Sequence, residues 1–391
     1  MLREDIQINT IPVGNLGIIP LASCAELGQK VDNYISTWRK HRVGAYEQSL
    51  AMAGYKKDSY IVSAATPRFG SGEAKGIINE SVRGKDIFIM VDVCNHSLTY
   101  KLAGKTNYMS PDDHFQDVKR IIAAIAGKAK RINVIMPFLY ESRQHRRTAR
   151  ESLDCAMGMQ ELYAMGVENI ITFDAHDPRV INCAQLNGFE NVRASYQFLK
   201  WLCKSVSDIQ FDADHLMMIS PDEGAMERSV YFASVLGINM GMFYKRRDYS
   251  TIVDGMNPIV AHEYLGADLA GKDVIVVDDM ISSGGSMIDT ARDLKERGAK
   301  RVFIFSTFGL FTNGMEKFDK AYENGLFDKL LTTNLTYQSP ELLSKEYYVS
   351  VDMSKYIAYI IDAMNHDISL ADLLMPMNKM KELVANYSKK N

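Results

Sequence analysis

The segment Val274–Ser286 reads VIVVDDMISSGGS and carries the strongest structural signal in the chain. Its four consecutive β-branched residues are typical of a buried strand, which ends in two adjacent carboxylates, Asp278 and Asp279. A serine and glycine turn, Ser282–Ser286, then leads into a helical stretch. Free N–H groups and the helix dipole at such a turn favour a phosphate, whereas the carboxylates suit sugar hydroxyls or a metal ion that accompanies phosphates. Capping serines alone would explain the turn but not the acidic pair.

The same strand–turn–helix pattern recurs along the chain. Near-continuous apolar runs separated by helical stretches are typical of parallel sheets covered by helices on both faces. The predicted strands are 60–63, 87–91, 132–136, 170–173, 216–219, 274–277, 302–305 and 347–351. The stretch 191–214 is more polar and has no clear strand pattern. We therefore predict an α/β fold of two similar domains, 1–200 and 201–353, with the C-terminal helix 354–391 joined to the first domain.

The composition excludes several other classes of protein. The chain has 391 residues, of which 47% are hydrophobic and 24% charged, as is usual for globular proteins. Its 45 basic and 48 acidic residues nearly cancel, so no field of one sign favours nucleic acid or a membrane surface. The five cysteines have no zinc-binding spacing and fit reduced thiols. We expect a cytoplasmic protein with neither nucleic-acid nor membrane partners.

Basic and histidine side chains follow the predicted strands 132–136 and 170–173, and also a further predicted strand, 240–244. The segment 137–147 reads PFLYESRQHRR, whose arginines suit phosphate oxygens, although a charge run alone would as readily be a solvated face. The segment 173–176 reads FDAH, where an isolated histidine is more often structural than a ligand. The segment 244–248 reads YKRRD and begins about thirty residues without a strong pattern. A loop of that length inside a compact domain is usually functional.

The segment Val274–Ser286 resembles the phosphoribosyl-pyrophosphate (PRPP) fingerprint of type I phosphoribosyltransferases and PRPP synthetases. In those families the acidic pair holds the ribose hydroxyls and the turn holds the 5-phosphate. The resemblance therefore implies that Asp278 and Asp279 bind ribose. It implies a phosphate site formed by Ser282, Ser283, Gly284, Gly285 and Ser286.

Four more segments match the PRPP synthetases in order and cover most of residues 60–375. Phosphoribosyltransferases have one such domain with a small hood, whereas PRPP synthetases join two. The resemblance is thus to the ribose-phosphate pyrophosphokinase family, and it implies a duplicated phosphoribosyltransferase-like fold. It implies transfer of the diphosphoryl group of ATP to the C1 hydroxyl of ribose 5-phosphate, giving PRPP and AMP.

The resemblance also implies the contacts of ATP and its metal. The family's adenine-binding loop matches residues 68–73, which would place Phe69 and Glu73 on ATP, and an Arg–Gln pair that contacts ATP matches Arg143 and Gln144. The metal-linked residues of the family match His176, and also Asp222 in the segment SPDEGA (220–225), for which a helix cap is the simpler explanation. The implied cofactor is Mg.

The resemblance extends to catalysis and regulation. Lys245 and Arg247 match the cationic residues of the family's flexible catalytic loop, whereas a solvated basic turn would explain them if they stood alone. Ser81, Arg83 and Arg146 match a site through which phosphate activates and ADP inhibits. Family members assemble as hexamers built from dimers, so the implied state is a homo-oligomer.

Two alternatives stay open. The chain departs from the family pattern at Ser71, His145, Ser282 and Phe308, which would fit a non-catalytic or regulatory relative. Release of AMP from ATP and ribose 5-phosphate separates that relative from an active enzyme. The second alternative is a phosphoribosyltransferase, which would leave residues 60–180 without explanation. A loss of PRPP that depends on an added base would favour it.

Overall fold

The computed structural model describes residues 10–42, 49, 52–247 and 259–389, but not the side chains of 245–247 and 259–262. The chain divides into two compact units. The first unit comprises Met1–Arg193, Asn334–Tyr337 and Asp352–Met375. The second unit comprises Ala194–Thr333, Gln338–Val351 and Pro376–Asn391.

The first unit is built on a sheet of five parallel strands in the order β1-β4-β7-β8-β9. These strands are β1 (Asn15–Pro20), β4 (Lys85–Met90), β7 (Arg131–Ile135), β8 (Asn169–Phe173) and β9 (Gly188–Val192). Two short antiparallel pairs lie outside this sheet, β2 (Ala64–Ala65) with β3 (Ile77–Ile78) and β5 (Thr99–Leu102) with β6 (Lys105–Tyr108). The helices are α1 (Ala25–His41), α2 (Pro111–Ile125), α3 (Asp154–Ala164), α9 (Ser354–Asn365) and α10 (Ala371–Leu374).

The second unit contains a seven-stranded sheet in the order β12-β11-β10-β13-β14-β15-β16. All neighbouring strands are parallel except β11 and β12. The strands are β10 (Leu216–Ser220), β11 (Asn239–Arg247), β12 (Ile259–Leu265), β13 (Asp273–Ile281), β14 (Arg301–Gly309), β15 (Lys329–Thr333) and β16 (Tyr348–Val351). The helices are α4 (Ser195–Ser205), α5 (Met226–Leu236), α6 (Gly285–Glu296), α7 (Glu316–Glu323), α8 (Pro340–Leu343) and α11 (Met377–Ser388).

Burial explains why the central strands carry uninterrupted apolar runs. Residues 274–277 of β13 are all buried, as are residues 87–90 of β4, because helices cover both faces of a parallel sheet. These strands carry the chain to the carboxyl edge of each sheet, where polar side chains begin. The predicted α/β fold with two parallel sheets is confirmed.

Some predicted boundaries are wrong. The segment 60–63 forms an isolated bridge from Ile61 to Ile18 rather than a strand, while β1 itself was not predicted. The polar stretch near residue 191 contains strand β9, which escaped prediction because it is an edge strand that is only partly buried.

Among the described residues, no helix is long and apolar enough to cross a membrane.

The assignment of the whole tail 354–391 to the first domain is wrong for its last part. Helix α11 belongs to the second unit and packs on α4 and α5. The Tyr387 hydroxyl donates a hydrogen bond to the backbone oxygen of Val206 at 2.7 Å. The apolar face of α11 is therefore buried in the second unit, which its sequence pattern alone could not indicate.

Candidate functional site

The two adjacent carboxylates of the second unit lie within β13, which runs four residues beyond the predicted strand end at 277. Asp279 is 4% exposed, and one of its carboxylate oxygens lies 3.9 Å from the Arg228 guanidinium. Asp278 accepts a hydrogen bond from the Asp279 N–H at 2.8 Å. Burial, and then the neighbouring Asp279 carboxylate, hold the pKa of Asp278 well above its usual range. This concentration of acidic charge is suited to ligand hydroxyls or a cation.

The turn that follows leaves the start of α6 without a side-chain cap. Gly284 occupies the N-cap position with φ +81°, and no side chain caps the helix. A Cβ atom on Gly284 would lie 2.3 Å from the Phe318 ring, so the turn packs too closely for any side chain there. The first turn of α6 contains no acidic residue. Its N–H groups and the positive end of the dipole therefore remain suited to an anion.

The N-terminus of the corresponding helix in the first unit, α2, is not suited to bind an anion. Helix α2, like α6, connects two neighbouring parallel strands of its sheet. The Ser110 side chain and the Asp113 backbone and side chain form a reciprocal capping box at its start, and Asp112 adds a second carboxylate to the first turn. These groups satisfy the helix N–H donors and repel negative charge. Of the two helices, α6 has the features of a phosphate site.

A third acidic residue approaches the pair in the second unit. The Asp222 Oδ1 accepts hydrogen bonds from the N–H groups of Gly224 and Ala225, at 3.0 and 3.2 Å, in the turn that enters α5. Asp222 therefore stabilises the turn before α5 but does not cap the helix, because the N-cap is Ala225 and no side chain caps it. The Asp222 charge also raises the pKa of Asp278, which places both carboxylates in one electrostatic environment.

Arg228 is a residue that sequence reasoning missed. It lies in the first turn of α5, six residues after Asp222, and faces Asp279. The available signal was an arginine one helical turn inside the helix that follows the Asp222 segment. A cation at this point partly offsets the acidic charge around Asp278.

The predicted catalytic cations lie in a strand rather than in a loop after it. Strand β11 continues through Lys245 and Arg247, and Lys245 pairs with His262 of the antiparallel strand β12. The register shifts between Arg246 and Arg247, which is the irregularity of a β-bulge. Pairing with β12 explains the extension, since strand partners far along the chain are not visible locally. The side chains of both residues, and residues 248–258, lie outside the described residues.

In the first unit, the glycine-rich segment forms a tight loop. The backbone N–H of Phe69 donates a hydrogen bond to the backbone oxygen of Glu73 at 2.7 Å. The Phe69 side chain is 52% exposed. Ser71 donates a hydrogen bond to a Glu73 carboxylate oxygen at 2.9 Å. Arg68 instead points inward and forms a two-pronged ion pair with Asp117. The loop therefore presents an aromatic face and a carboxylate to solvent.

Polar side chains also follow β7 and β8, which are neighbours in the first sheet. Glu141 and Asp174, just after these strands, adopt φ values of +53° and +35°. Such values are unfavourable for residues with side chains and are typical of functional turns. Arg143 is exposed, while the Gln144 amide donates to the Ser152 oxygen at 2.8 Å.

The histidines of these two turns lie side by side. The ring centroids of His145 and the exposed His176 are 5.6 Å apart, and His145 Nε2 is 3.2 Å from an Asp177 carboxylate oxygen. A close ion pair with Arg179 lowers the pKa of Asp177 to about 2, although burial acts in the opposite direction. His145, which departs from the family pattern, thus has an acidic partner in Asp177.

The candidate regulatory residues are all exposed in the first unit. Ser81 and Arg83 share the turn between β3 and β4, where the Arg83 N–H approaches the Ser81 oxygen at 3.4 Å. Arg146 lies in the segment after β7.

Among the described residues, no three His, Cys, Asp or Glu side chains are grouped so as to hold a metal ion. Magnesium commonly binds through one or two carboxylates together with substrate phosphates and water. The Asp222 carboxylate is an oxygen ligand of the required kind. An imidazole such as His176 is a weaker choice for direct contact with this hard ion.

Comparison with known proteins identifies similar chains. Residues 16–166 match the N-terminal domain of ribose phosphate pyrophosphokinase, and residues 192–336 match the phosphoribosyl transferase domain. A ribose-phosphate pyrophosphokinase of Vibrio parahaemolyticus is 30% identical over 312 residues, covering 79% of this chain and 90% of the relative. One from Pasteurella multocida is 29% identical over 316 residues, with the same coverage of both chains.

A solved structure shows the same fold. The crystal structure of phosphoribosylpyrophosphate synthetase from Mycobacterium smegmatis matches with a TM-score of 0.70 and 20% identity. The match covers 90% of this chain and 99% of that one.

Proposed function

The chain belongs to the ribose-phosphate pyrophosphokinase family, and on that premise we propose that it transfers the β,γ-diphosphoryl group of ATP to the C1 hydroxyl of ribose 5-phosphate. The products are PRPP and AMP. One observation in the second unit carries the proposal: the uncapped start of α6 directly follows the acidic residues of β13. A sugar phosphate has the matching chemistry, an anion at one end and hydroxyls at the other.

Ribose 5-phosphate would bind with its phosphate on the Ser282–Ser286 turn and its hydroxyls on Asp278 and Asp279. Hydroxyl donors would stabilise the buried carboxylate of Asp278, whose pKa burial and the Asp279 charge raise. Arg228 limits the repulsion between the acidic residues. Serine at 282 keeps a hydroxyl beside the phosphate, although the family usually has an acidic residue there.

ATP would bind to the first unit. The exposed Phe69 ring offers a stacking surface for adenine, and Glu73 offers a carboxylate to its amino group. Arg143 is exposed and suited to phosphate oxygens. Gln144 would add an amide contact, and the His145–His176 pair lies on the adjoining strand end.

Diphosphoryl transfer depends chiefly on placement of the two ligands and on cations over the oxygens where charge accumulates. Lys245 and Arg247 would supply that charge. Magnesium would enter with ATP and would neutralise phosphate charge. The residues that the family resemblance implies for holding it are Asp222 in the second unit and His176 in the first. Exclusion of water matters because hydrolysis of ATP is the competing reaction.

The proposal extends to assembly, regulation and location. We propose a homo-oligomer built from dimers, up to a hexamer, in the cytoplasm. Exposed Ser81, Arg83 and Arg146 would form the phosphate and ADP site at a subunit junction.

The test is an assay for AMP from ATP and ribose 5-phosphate with magnesium, in the presence and absence of phosphate and ADP. We expect AMP and PRPP in equal amounts, with no AMP when ribose 5-phosphate is left out. ATP and ribose 5-phosphate binding without AMP release would contradict the proposal and indicate a regulatory relative. PRPP consumed only when a nucleobase is added would indicate a phosphoribosyltransferase.

A further inference from the structure

A β-hairpin stands between β4 and α2 in the first unit. Its strands β5 and β6 are joined by the two-residue turn Ala103–Gly104. Both turn residues have positive φ, +49° and +79°, which is the geometry of the tight turns that join twisted antiparallel strands. In the second unit, β13 enters α6 through the short turn 282–284 alone. The first unit therefore carries a hairpin between β4 and α2, where the second unit has only a short turn between β13 and α6.

The hairpin packs directly on the loop 68–74. The Ala103 N–H, at the hairpin tip, donates a hydrogen bond to the Gly70 oxygen at 3.0 Å. A Leu102 methyl group lies 2.8 Å from the position that a Cβ atom on Gly72 would take. The Arg68 guanidinium lies 5.2 Å from the centre of the Tyr100 ring, within range of a cation–π contact.

The opposite side of the loop is anchored to α2. Asp117 is buried and accepts hydrogen bonds from both terminal nitrogens of Arg68, at 2.8 and 3.1 Å. The Thr66 hydroxyl donates to the same carboxylate at 3.0 Å. The loop is therefore held between α2 and the hairpin, while the Phe69 ring between these anchors remains exposed.

We propose that the hairpin β5–β6 is a positioning element for the donor nucleotide, with Leu102 and Tyr100 as its positioning residues. By holding the loop in one conformation before ATP arrives, the hairpin removes part of the ordering cost of binding and orients Phe69 toward the base. This inference rests on the proposed function, because it takes from that proposal the role of Phe69.

The test uses the full-length protein with Leu102→Ala and Tyr100→Ala. Steady-state kinetics and calorimetric binding of ATP with magnesium should show KM and Kd for ATP raised about 5–10-fold, as expected for lost preorganisation. The kcat and the KM for ribose 5-phosphate should stay within about twofold, because the reacting groups are unchanged. Leu102→Met and Tyr100→Phe should restore ATP affinity. Preference for ATP over GTP should fall in both alanine variants.

Tyr108→Ala is the matched control, since Tyr108 lies on the same hairpin and is 68% exposed. This variant should leave kcat, both KM values and the Kd for ATP unchanged. If Leu102→Ala and Tyr100→Ala fold and keep the wild-type KM and Kd for ATP, the hairpin inference is overturned while the proposed function stays intact. A wild-type protein that neither binds ATP nor forms AMP would overturn both.

Discussion

The Asp273 carboxylate accepts two hydrogen bonds from the Arg301 guanidinium, at 2.8 and 2.6 Å, where β13 and β14 begin side by side. The first unit has the same arrangement between Asp86 and Arg131, at 2.9 and 2.8 Å, where β4 and β7 begin. Each aspartate follows a Gly-Lys pair, and each arginine follows a lysine. The two units therefore share one building plan.

The plan diverges at the other end of these strands. Asp92 and Asp279 each lie six residues after the paired aspartate, and both are buried. Asp92 accepts hydrogen bonds from the N–H groups of Cys94 and Tyr337, at 2.9 and 2.7 Å. The first unit thus satisfies this carboxylate with its own backbone, whereas the second unit adds Asp278 beside an uncapped helix. This difference favours the second unit as the sugar-phosphate side.

Removing Arg301 should destabilise the second unit. Arg301→Ala leaves the buried Asp273 carboxylate without its partner, and we expect a loss of about 2–4 kcal/mol in the free energy of unfolding by urea titration. The double variant Asp273→Ala/Arg301→Ala should recover part of this loss. Asp208→Ala removes only an exposed partner of Arg301 and should leave the unfolding midpoint unchanged. Equal effects of Arg301→Ala and Asp208→Ala would contradict the assigned role.

The two adjacent glycines at the phosphate turn should differ in how much stability is lost on substitution by alanine. Gly284→Ala combines a positive φ with a collision against Phe318, so we expect a loss of about 2–4 kcal/mol in thermal or urea unfolding. A Cβ atom on Gly285 meets no other atom within 4 Å, so Gly285→Ala should leave stability unchanged. It should still weaken ribose 5-phosphate binding if the phosphate lies against this backbone. Similar stability of the two variants would refute the packing argument.

The ionised Asp278 carboxylate should lower the free energy of unfolding at neutral and alkaline pH. Its pKa is raised in the folded protein, so the folded state holds the proton more tightly than the unfolded chain. Stability is therefore lost as pH rises above the ordinary pKa of 3.8. We expect Asp278→Asn to melt about 2–4 °C above wild type at pH 8, with the difference disappearing toward pH 4.

The same variant should bind ribose 5-phosphate at least about tenfold more weakly by calorimetry, because a carboxylate acceptor for a hydroxyl is lost. Asp289→Asn, an exposed position on α6, is the control and should change neither property. If Asp278→Asn melts at the wild-type temperature throughout this pH range, the buried acidic pair does not strain the fold.

Lys245→Ala should lower kcat by about two to three orders of magnitude, since it removes a cation proposed to act on charge that develops during transfer. Calorimetric binding of ribose 5-phosphate should remain within about twofold of wild type. Lys204→Ala, an exposed lysine on α4 of the same unit, should leave turnover unchanged. Full turnover in Lys245→Ala would exclude this residue from catalysis.

The amino-acid sequence by itself determined the central strands of both sheets, the alternation with helices and the acidic phosphate-type turn. These features are local: a run such as 274–277 must be buried wherever it lies, and a contiguous motif keeps its order in any fold. The Gly-Lys-Asp and Lys-Arg sequences also recur in the two halves of the chain, but only the ion pairs in the structure showed that they correspond.

Tertiary structure alone decided which distant residues meet. It brings Arg228 to Asp279, extends β11 through Lys245 by pairing it with β12, and packs the hairpin tip at Ala103 on Gly70. It also assigns the last helix, α11, to the second unit. Such contacts depend on which surfaces bury one another after the chain has folded, and residues far apart in the sequence carry no local pattern that specifies the partner.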